Sequence, residues 1–181
     1  NNAIELDPNF ADAYVNRGIS KKNLKDYNGA IVDYTKAIKL NPNNASAYFK
    51  RGVSKDNLED YGGAIRDFNK AIELNPGSVA AYFQRAMAKR MIVDYEGAKE
   101  DFNAALLYIT YTDTNFGSDI IANIYYNQAI NEMELGEYDL AILSFTAAIG
   151  LNPNPEVSYY INRGVAKAKL KDYNGAINDY N

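Results

Sequence analysis

Residues 11–44 read ADAYVNRGISKKNLKDYNGAIVDYTKAIKLNPNN, and residues 45–78 read ASAYFKRGVSKDNLEDYGGAIRDFNKAIELNPGS. The two segments align without a gap, so the chain repeats with a period of 34 residues. The other segments are two further repeats (79–112 and 122–155), a shortened repeat (157–181), an insertion (113–121) and the tail of a preceding repeat (1–10). Such a period is typical of arrays in which each unit buries its apolar face against its neighbours.

Each repeat contains the pattern of two helices. The second helix of the first repeat carries an apolar stripe with a period of about 3.6 residues. The stripe consists of Tyr27, Ala30, Ile31, Tyr34, Ala37, Ile38 and Leu40. Pro42 then ends this helix, because proline lacks a backbone donor. Only Lys25 and Asp26 separate it from the helix before, so we expect a tight turn and an antiparallel pair.

Small residues recur where paired helices must approach closely. The first helices carry Gly18, Gly52, Ala86, Ala129 and Gly164, and the second helices carry Ala30, Ala64, Ala98, Ala141 and Ala176. One turn further on, the second helices carry Tyr34, Phe68, Phe102, Phe145 and Tyr180. The pattern predicts that the small residues face each other and that the rings fill the space beside them.

At these positions the chain resembles the tetratricopeptide repeat family. The family order of aromatic, small residue, alanine, aromatic, alanine and proline is matched by Tyr14, Gly18, Ala30, Tyr34, Ala37 and Pro42. The resemblance implies an all-α fold, a right-handed α-solenoid of antiparallel helix pairs that forms one domain over residues 1–181. The sequence departs from the family where leucine is usual, at Arg17, Arg51, Arg85 and Arg163, and where tyrosine is usual, at Lys21, Lys55, Lys89 and Lys167.

Composition narrows the chemistry that the chain can perform. It has no Cys and no His, which removes disulfides, thiolate nucleophiles, imidazole bases and almost every structural zinc site. The paired carboxylates lie next to each other along the chain and do not face one another across a cleft. We therefore expect no enzymatic activity, no catalytic residues, no cofactor and no metal. The net charge of −4 disfavours nucleic acid as a partner, and no apolar run is long enough for membrane insertion.

The resemblance also implies a place for a ligand, because first helices of the family line a concave groove. The predicted groove residues are apolar and lie four residues apart on the first helices. They are Val15, Ile19, Phe49, Val53, Phe83, Met87, Tyr126, Ile130, Ile161 and Val165. Polar neighbours at the rim would be Asp12, Lys22, Asn23, Asp56, Asn57, Arg90 and Lys169. The alternative is that the apolar residues pack mainly against the adjacent first helix.

A second recurring set is charged. Arg17 and Lys21 on a first helix are accompanied by Asp33 on the second, and the combination recurs in the second, third and last repeats. The fourth repeat differs at all three places together, with Gln128, Glu132 and Ser144. This joint change predicts that the three positions are in contact. We expect cross-helix ion pairs that form a solvated ladder.

The junction of the third and fourth repeats is irregular. Ile109 and Thr110 replace the expected proline, and the insertion follows. We expect helix to continue over 104–111, a loop at 112–117 and Ser118 as the cap of a lengthened next helix. Insertions in repeats map to loops, and this one is interpreted as a tolerated loop.

The leading functional hypothesis is a protein-interaction scaffold that binds an extended or helical, largely apolar peptide segment in its groove. The alternative is a structural spacer or self-assembling array within a larger protein. In that case the segments at 1–10 and at the chain's end would stack head to tail between copies. The sequence names neither the partner nor the compartment, for which the cytoplasm is only the default.

Overall fold

The computed structural model describes residues 2–111 and 116–181, and all regular structure in those ranges is helical. The chain forms two compact units, divided between Ile92 and Val93. Unit 1 contains α1 (Asn2–Leu6), α2 (Ala11–Asn23), α3 (Tyr27–Leu40), α4 (Ala45–Asp56), α5 (Tyr61–Leu74) and α6 (Val79–Met91). Unit 2 contains α7 (Tyr95–Tyr111), α8 (Ser118–Glu134), α9 (Tyr138–Leu151), α10 (Val157–Lys169) and α11 (Tyr173–Tyr180). The helix pairs and the all-α solenoid fold are confirmed.

The turn inside each pair is built the same way in the first two repeats. Lys25 has a positive φ of 62°, which reverses the chain after α2. Asp26 then caps α3, because its side chain accepts a hydrogen bond of 2.9 Å from the backbone N–H of Gly29. Glu59 and Asp60 repeat this arrangement before α5. Three residues separate α2 from α3 and four separate α4 from α5, so each pair is joined by the tight turn that the sequence predicts.

Close approach of the paired helices depends on glycine facing an aromatic ring. A Cβ atom added to Gly18 would lie 2.7 Å from the Tyr34 ring, and one added to Gly52 would lie 2.7 Å from the Phe68 ring. Both rings are fully buried. The atoms nearest to each of these glycines belong to the aromatic ring of the paired helix, which extends across the space between the helices.

Successive repeats of unit 1 share a core. Ala47 and Tyr48 at the start of α4 pack against the cluster formed by Tyr34, Ala37 and neighbouring residues of the first repeat. The next junction repeats this contact, with Ala71 and Ile72 of α5 against Ala81 and Tyr82 of α6. Each pair thus covers the apolar stripe of the pair before it, as stacking of the repeats requires.

Unit 2 contains the irregular junction. The predicted continuation of the third repeat's second helix is confirmed, since α7 extends to Tyr111. The lengthened helix after the insertion is confirmed as α8, but the predicted cap is wrong. Gly117 is the N-cap residue and Ser118 is the first residue of the helix. Most of the predicted loop, residues 112–115, lies outside the described residues.

The core of unit 2 lies among α8, α9 and α10. Ala129, Ala141, Phe145 and Ala166 form its buried centre. Within the described ranges, no helix is long and apolar enough to cross a membrane.

Candidate peptide-binding site

The predicted groove residues of unit 1 differ in how much surface they offer. Val15 is only 8% exposed and lies in the core of the first repeat, so it supports the face without forming an open surface. Ile19 is half-buried against the same cluster. Phe83 and Met87 on α6 are also half-buried. The half-buried residues therefore pack against their neighbours and still keep part of their surface accessible.

The next part of this face lies on α4. Phe49 and Val53 are half-buried and pack against Ala64, Phe68 and Ala88. The rings of Phe49 and Phe68 are tilted at 47° with centroids 5.8 Å apart, which fixes the Phe49 side chain against the buried ring. One side of Phe49 is therefore held by the core and the other side remains accessible.

A cavity of about 200 Å³ opens beside Phe49. Its walls come from the start of α4, the end of α5 and the residue that caps α6. The lining residues are Ala45, Ser46, Phe49, Ala71, Asn75 and Ser78. The cavity combines an aromatic wall with hydroxyl and amide groups, so it suits an apolar side chain that carries its own backbone polar groups.

Asp56 lies on the same face of α4. Ser46, Phe49, Val53 and Asp56 follow one another at spacings of three, four and three residues, which places them along one side of the helix. Asp56 is half-buried, and burial raises the pKa of its carboxyl group. Among the described residues its carboxylate has no hydrogen-bond or ion-pair partner. The face thus has an apolar end at Phe49 and an acidic end at Asp56.

The corresponding residues of unit 2 are engaged by the protein itself. The ring of Tyr126 on α8 stacks on Tyr159 with centroids 4.3 Å apart, and its edge meets Phe145 at 5.8 Å. Its hydroxyl oxygen accepts a hydrogen bond of 3.0 Å from Asn162. Ile130 packs against the core of unit 2.

Two predicted groove residues lie on α10. Ile161 is 45% exposed and Val165 is half-buried. In unit 2 the exposed apolar surface of the predicted set is therefore on α10, and Tyr126 serves mainly to join α8 to its neighbours.

The predicted cross-helix ion pairs are present in the described contacts of three repeats. Arg51 donates to both carboxylate oxygens of Asp67, at 2.8 and 2.6 Å, and the Lys55 ammonium lies 2.7 Å from the same group. The first and last repeats have the same arrangement around Asp33 and Asp179. The bidentate geometry makes these pairs stronger than single contacts between surface charges.

The expectation that the ladder is solvated is wrong, because the aspartates lie between the paired helices. The side chains of Asp33 and Asp67 are 1% and 5% exposed. Burial opposes ionisation of Asp33, but the hydrogen bonds from Arg17 and Lys21 outweigh it and lower its pKa. The ion pairs therefore belong to the interior of the fold and leave no free charge for a ligand.

The fourth repeat confirms that the three substituted positions form one set. Gln128 donates to Glu132 Oε1 at 3.1 Å and to Asn103 at 3.0 Å. Burial raises the pKa of Glu132, and the nearby Ser144 and Gln128 side chains offset this only in part. Gln128 Oε1 and Glu132 Oε2 are buried without a hydrogen-bond partner. The set replaces an ion pair by an amide and a carboxyl group that favours its neutral form.

Three family models, each describing the tetratricopeptide repeat, match residues 11–44, 45–78 and 126–181, which together are more than half of the chain. The chain belongs to the tetratricopeptide repeat family. Its fold is that of a protein-interaction scaffold. No curated protein matches this tetratricopeptide repeat protein in sequence.

Solved structures of other repeat proteins share its fold. The crystal structure of the MamA protein matches with a TM-score of 0.84 at 25% identity, over 94% of this chain and 87% of MamA. YrrB, described as a tetratricopeptide repeat protein with an unusual peptide-binding site, matches with a TM-score of 0.83 at 20% identity, over 98% of this chain and 87% of YrrB. PilF of Pseudomonas aeruginosa matches with a TM-score of 0.76 at 19% identity, over 94% of this chain and 73% of PilF.

Sequence reasoning missed the polar walls of the cavity in this tetratricopeptide repeat protein. Ser46, Asn75 and Ser78 come from three different helix ends, and the repeat alignment alone does not show that they meet around Phe49. Asp56 was assigned only to the polar rim. Its position three residues after Val53 is the signal that places it on the apolar stripe itself.

Proposed function

We propose that the chain binds an apolar or amphipathic peptide segment of another protein on the first helices of its repeats. The principal contact is the face of α4 in unit 1, and the other groove residues of that unit, on α2 and α6, extend it. The observation that carries this proposal is the cavity beside Phe49, which is open and lined by a ring, methyl groups and small polar groups. Transfer of an apolar side chain from water into this cavity lowers the free energy of the complex.

Two further observations support the proposal. The predicted residues of unit 1 other than the buried Val15 are half-buried, so a peptide laid over them adds to an already fixed surface and orders few side chains. YrrB shares the fold and is described as having an unusual peptide-binding site, which supports peptide recognition as a use of this architecture.

The direct test is a selection of displayed 12-residue peptides on the wild-type chain, followed by affinity measurements on variants. We expect Phe49→Ala combined with Phe83→Ala to weaken the selected peptides by at least about tenfold, since buried aromatic anchors dominate such contacts. Ile161→Ala, a truncation on unit 2, serves as the matched control and should leave the affinity within about twofold. Circular dichroism before the measurements ensures that every variant is folded. Peptides that bind the double variant as tightly as the wild type would exclude this site.

Self-association is a second candidate, favoured by exposed apolar residues on α11. Tyr173, Ile177 and Tyr180 are 62%, 54% and 51% exposed. Near the other end of the chain, Leu6 is 88% exposed. Head-to-tail stacking of copies would cover such surfaces. Sedimentation velocity over a hundredfold range of concentration tests it: we expect reversible association that Ile177→Lys abolishes, and a monomer at every concentration would contradict it.

A further inference from the structure

We propose that the α4 face recognises a basic side chain together with an apolar one. The peptide presents an apolar side chain to Phe49 and its cavity and a lysine or arginine to Asp56, which lies about 10 Å from Phe49 along α4. This inference rests on the proposed function, because it names the chemistry of the partner at the same face.

The state of the Asp56 carboxylate is the first argument. A half-buried carboxylate has lost part of its hydration, and proteins normally compensate such a loss with a cation or with hydrogen-bond donors. Asp67 in the same repeat has both Arg51 and Lys55 within 2.8 Å. Asp56 is without any such partner among the described residues. A ligand cation would supply the compensation that the protein provides to Asp67.

Among the described residues, the surroundings of Asp56 add negative charge, and no basic group lowers the pKa of its carboxyl group. The pKa of Tyr61 is raised by loss of hydration and by the nearby charges of Glu59 and Asp56. The pKa of the Asp56 carboxyl group itself is raised by burial alone. The acidic end of the face therefore attracts a cation and repels an acidic peptide, in agreement with the net charge of −4.

The geometry of α4 supplies a spacing rule. Asp56 follows Phe49 by seven positions, and a rise of 1.5 Å per residue gives about 10 Å along the helix. An extended peptide covers about 3.3 Å per residue, so its apolar and basic residues would be three positions apart. A helical peptide would need about seven positions to span the same distance.

The experiment uses a series of synthetic peptides as probes. Each is an acetylated and amidated 11-residue peptide with one leucine and one lysine, in either order, separated by one to eight positions on a neutral polar background. Fluorescence polarisation measures the affinity of each for the full chain. We expect the tightest binding at a separation of three or seven, and replacement of the lysine by glutamine should weaken that peptide by about fivefold.

Variants of Asp56 then identify the origin of the preference. Asp56→Asn should remove the difference between the lysine and glutamine peptides, and Asp56→Lys should make a glutamate peptide of the same spacing the better ligand. Glu59→Gln changes the net charge by the same amount at an exposed neighbouring acid and should retain the lysine preference. Thermal unfolding of each variant establishes that it is folded.

The outcomes separate this inference from the proposed function. Binding that depends on Phe49 but shows no lysine preference, or a preference that Asp56→Asn leaves unchanged, overturns the basic-residue rule and leaves apolar recognition standing. Binding that does not depend on Phe49, or no binding by any peptide, overturns both.

Discussion

Phe49 in the second repeat and Tyr126 in the fourth occupy the same position of the 34-residue unit, but their surroundings differ. Phe49 contacts the buried Phe68 and leaves a cavity of about 200 Å³ on its other side. Tyr126 is stacked on Tyr159 and bonded to Asn162. About two turns further along each helix, the second repeat has the unpaired Asp56 and the fourth has the apolar Met133. The first position offers a surface, whereas the second joins helices.

The buried polar groups between the paired helices also differ between these two repeats. In the second repeat Arg51 and Lys55 neutralise Asp67. In the fourth, Gln128 bonds to Glu132 at the same repeat positions. The comparison teaches that the repeat fixes where polar groups meet between the paired helices, while the individual residues decide whether the contact is ionic or neutral.

The largest expected effect comes from breaking the ionic set. Arg51→Met combined with Lys55→Met leaves the buried Asp67 carboxylate without a cation, and we expect the free energy of unfolding to fall by about 3–5 kcal/mol. In the fourth repeat, Gln128→Met leaves a carboxyl group that favours its neutral form, so the expected loss is only about 1–2 kcal/mol. Urea denaturation at neutral pH measures both.

Adding Asp67→Ser to the double variant is the control, since it reproduces the serine that the fourth repeat has at this position. It should recover most of the lost stability, because the uncompensated charge is gone. The account would be contradicted by a double variant that loses less than about 1 kcal/mol, or by a triple variant no more stable than the double. Either result would show that the buried Asp67 carboxylate does not depend on the two cations.

The sequence predicted the parts of this comparison that depend on spacing. The 34-residue period gave the helix pairs, and the joint change at Gln128, Glu132 and Ser144 predicted their contact. Burial of Asp33 was missed, because charged residues on helices are usually exposed and the repeat pattern does not give the depth of a side chain. Packing against the adjacent first helix was the alternative for all the apolar groove residues, and Tyr126 follows it. The repeat pattern could not single out Tyr126, since its partners lie 33 and 36 residues away and depend on how neighbouring helices stack.

Truncation of the two aromatic residues should separate packing from binding. Tyr126→Ala removes a stacked ring pair and a hydrogen bond, so we expect it to lower the free energy of unfolding by about 1–2 kcal/mol more than Phe49→Ala does. Phe49→Ala should instead have the larger effect on peptide affinity. Equal stability losses in the two variants would mean that the contacts of Tyr126 stabilise the fold no more than those of Phe49.

The two kinds of buried carboxyl group should give opposite pH dependences. Glu132 has a raised pKa in the folded state, so its proton stabilises the fold at low pH and this contribution is lost as pH rises through the folded pKa. Asp33 has a lowered pKa, so its contribution is present above the ordinary value of roughly 4 and is lost as pH falls through the folded pKa.

Variants of Glu132 and Asp33 test the signs of these two pH dependences. Relative to the wild type, Glu132→Gln should gain stability as pH is raised from roughly 4 towards neutrality. Asp33→Asn should lose stability relative to the wild type as pH is raised towards roughly 4 from below, and the difference should then stay constant at higher pH. Urea denaturation at several pH values checks both trends. Parallel trends in the two variants would contradict the assignment of one neutral and one ionic set.

The smallest expected effect concerns Tyr34, which differs from Phe68 at the same repeat position by a hydroxyl group. That hydroxyl is buried without a hydrogen-bond partner, and burial raises the pKa of Tyr34 to about 12. Tyr34→Phe removes an unsatisfied polar group and should stabilise the chain by up to about 1 kcal/mol. Thermal unfolding measures it, and a clear loss of stability would show that the hydroxyl has a partner in solution.

The most direct test of the central claim, that the α4 face is the peptide-binding surface, is a methyl NMR titration. Val53 and Ile130 occupy the same repeat position on α4 and α8, so their methyl resonances report on the two faces in one experiment. Addition of the leucine–lysine peptide with the tightest spacing should shift the Val53 methyl resonances and leave those of Ile130 in place. Shifts at Ile130 with none at Val53 would contradict the account.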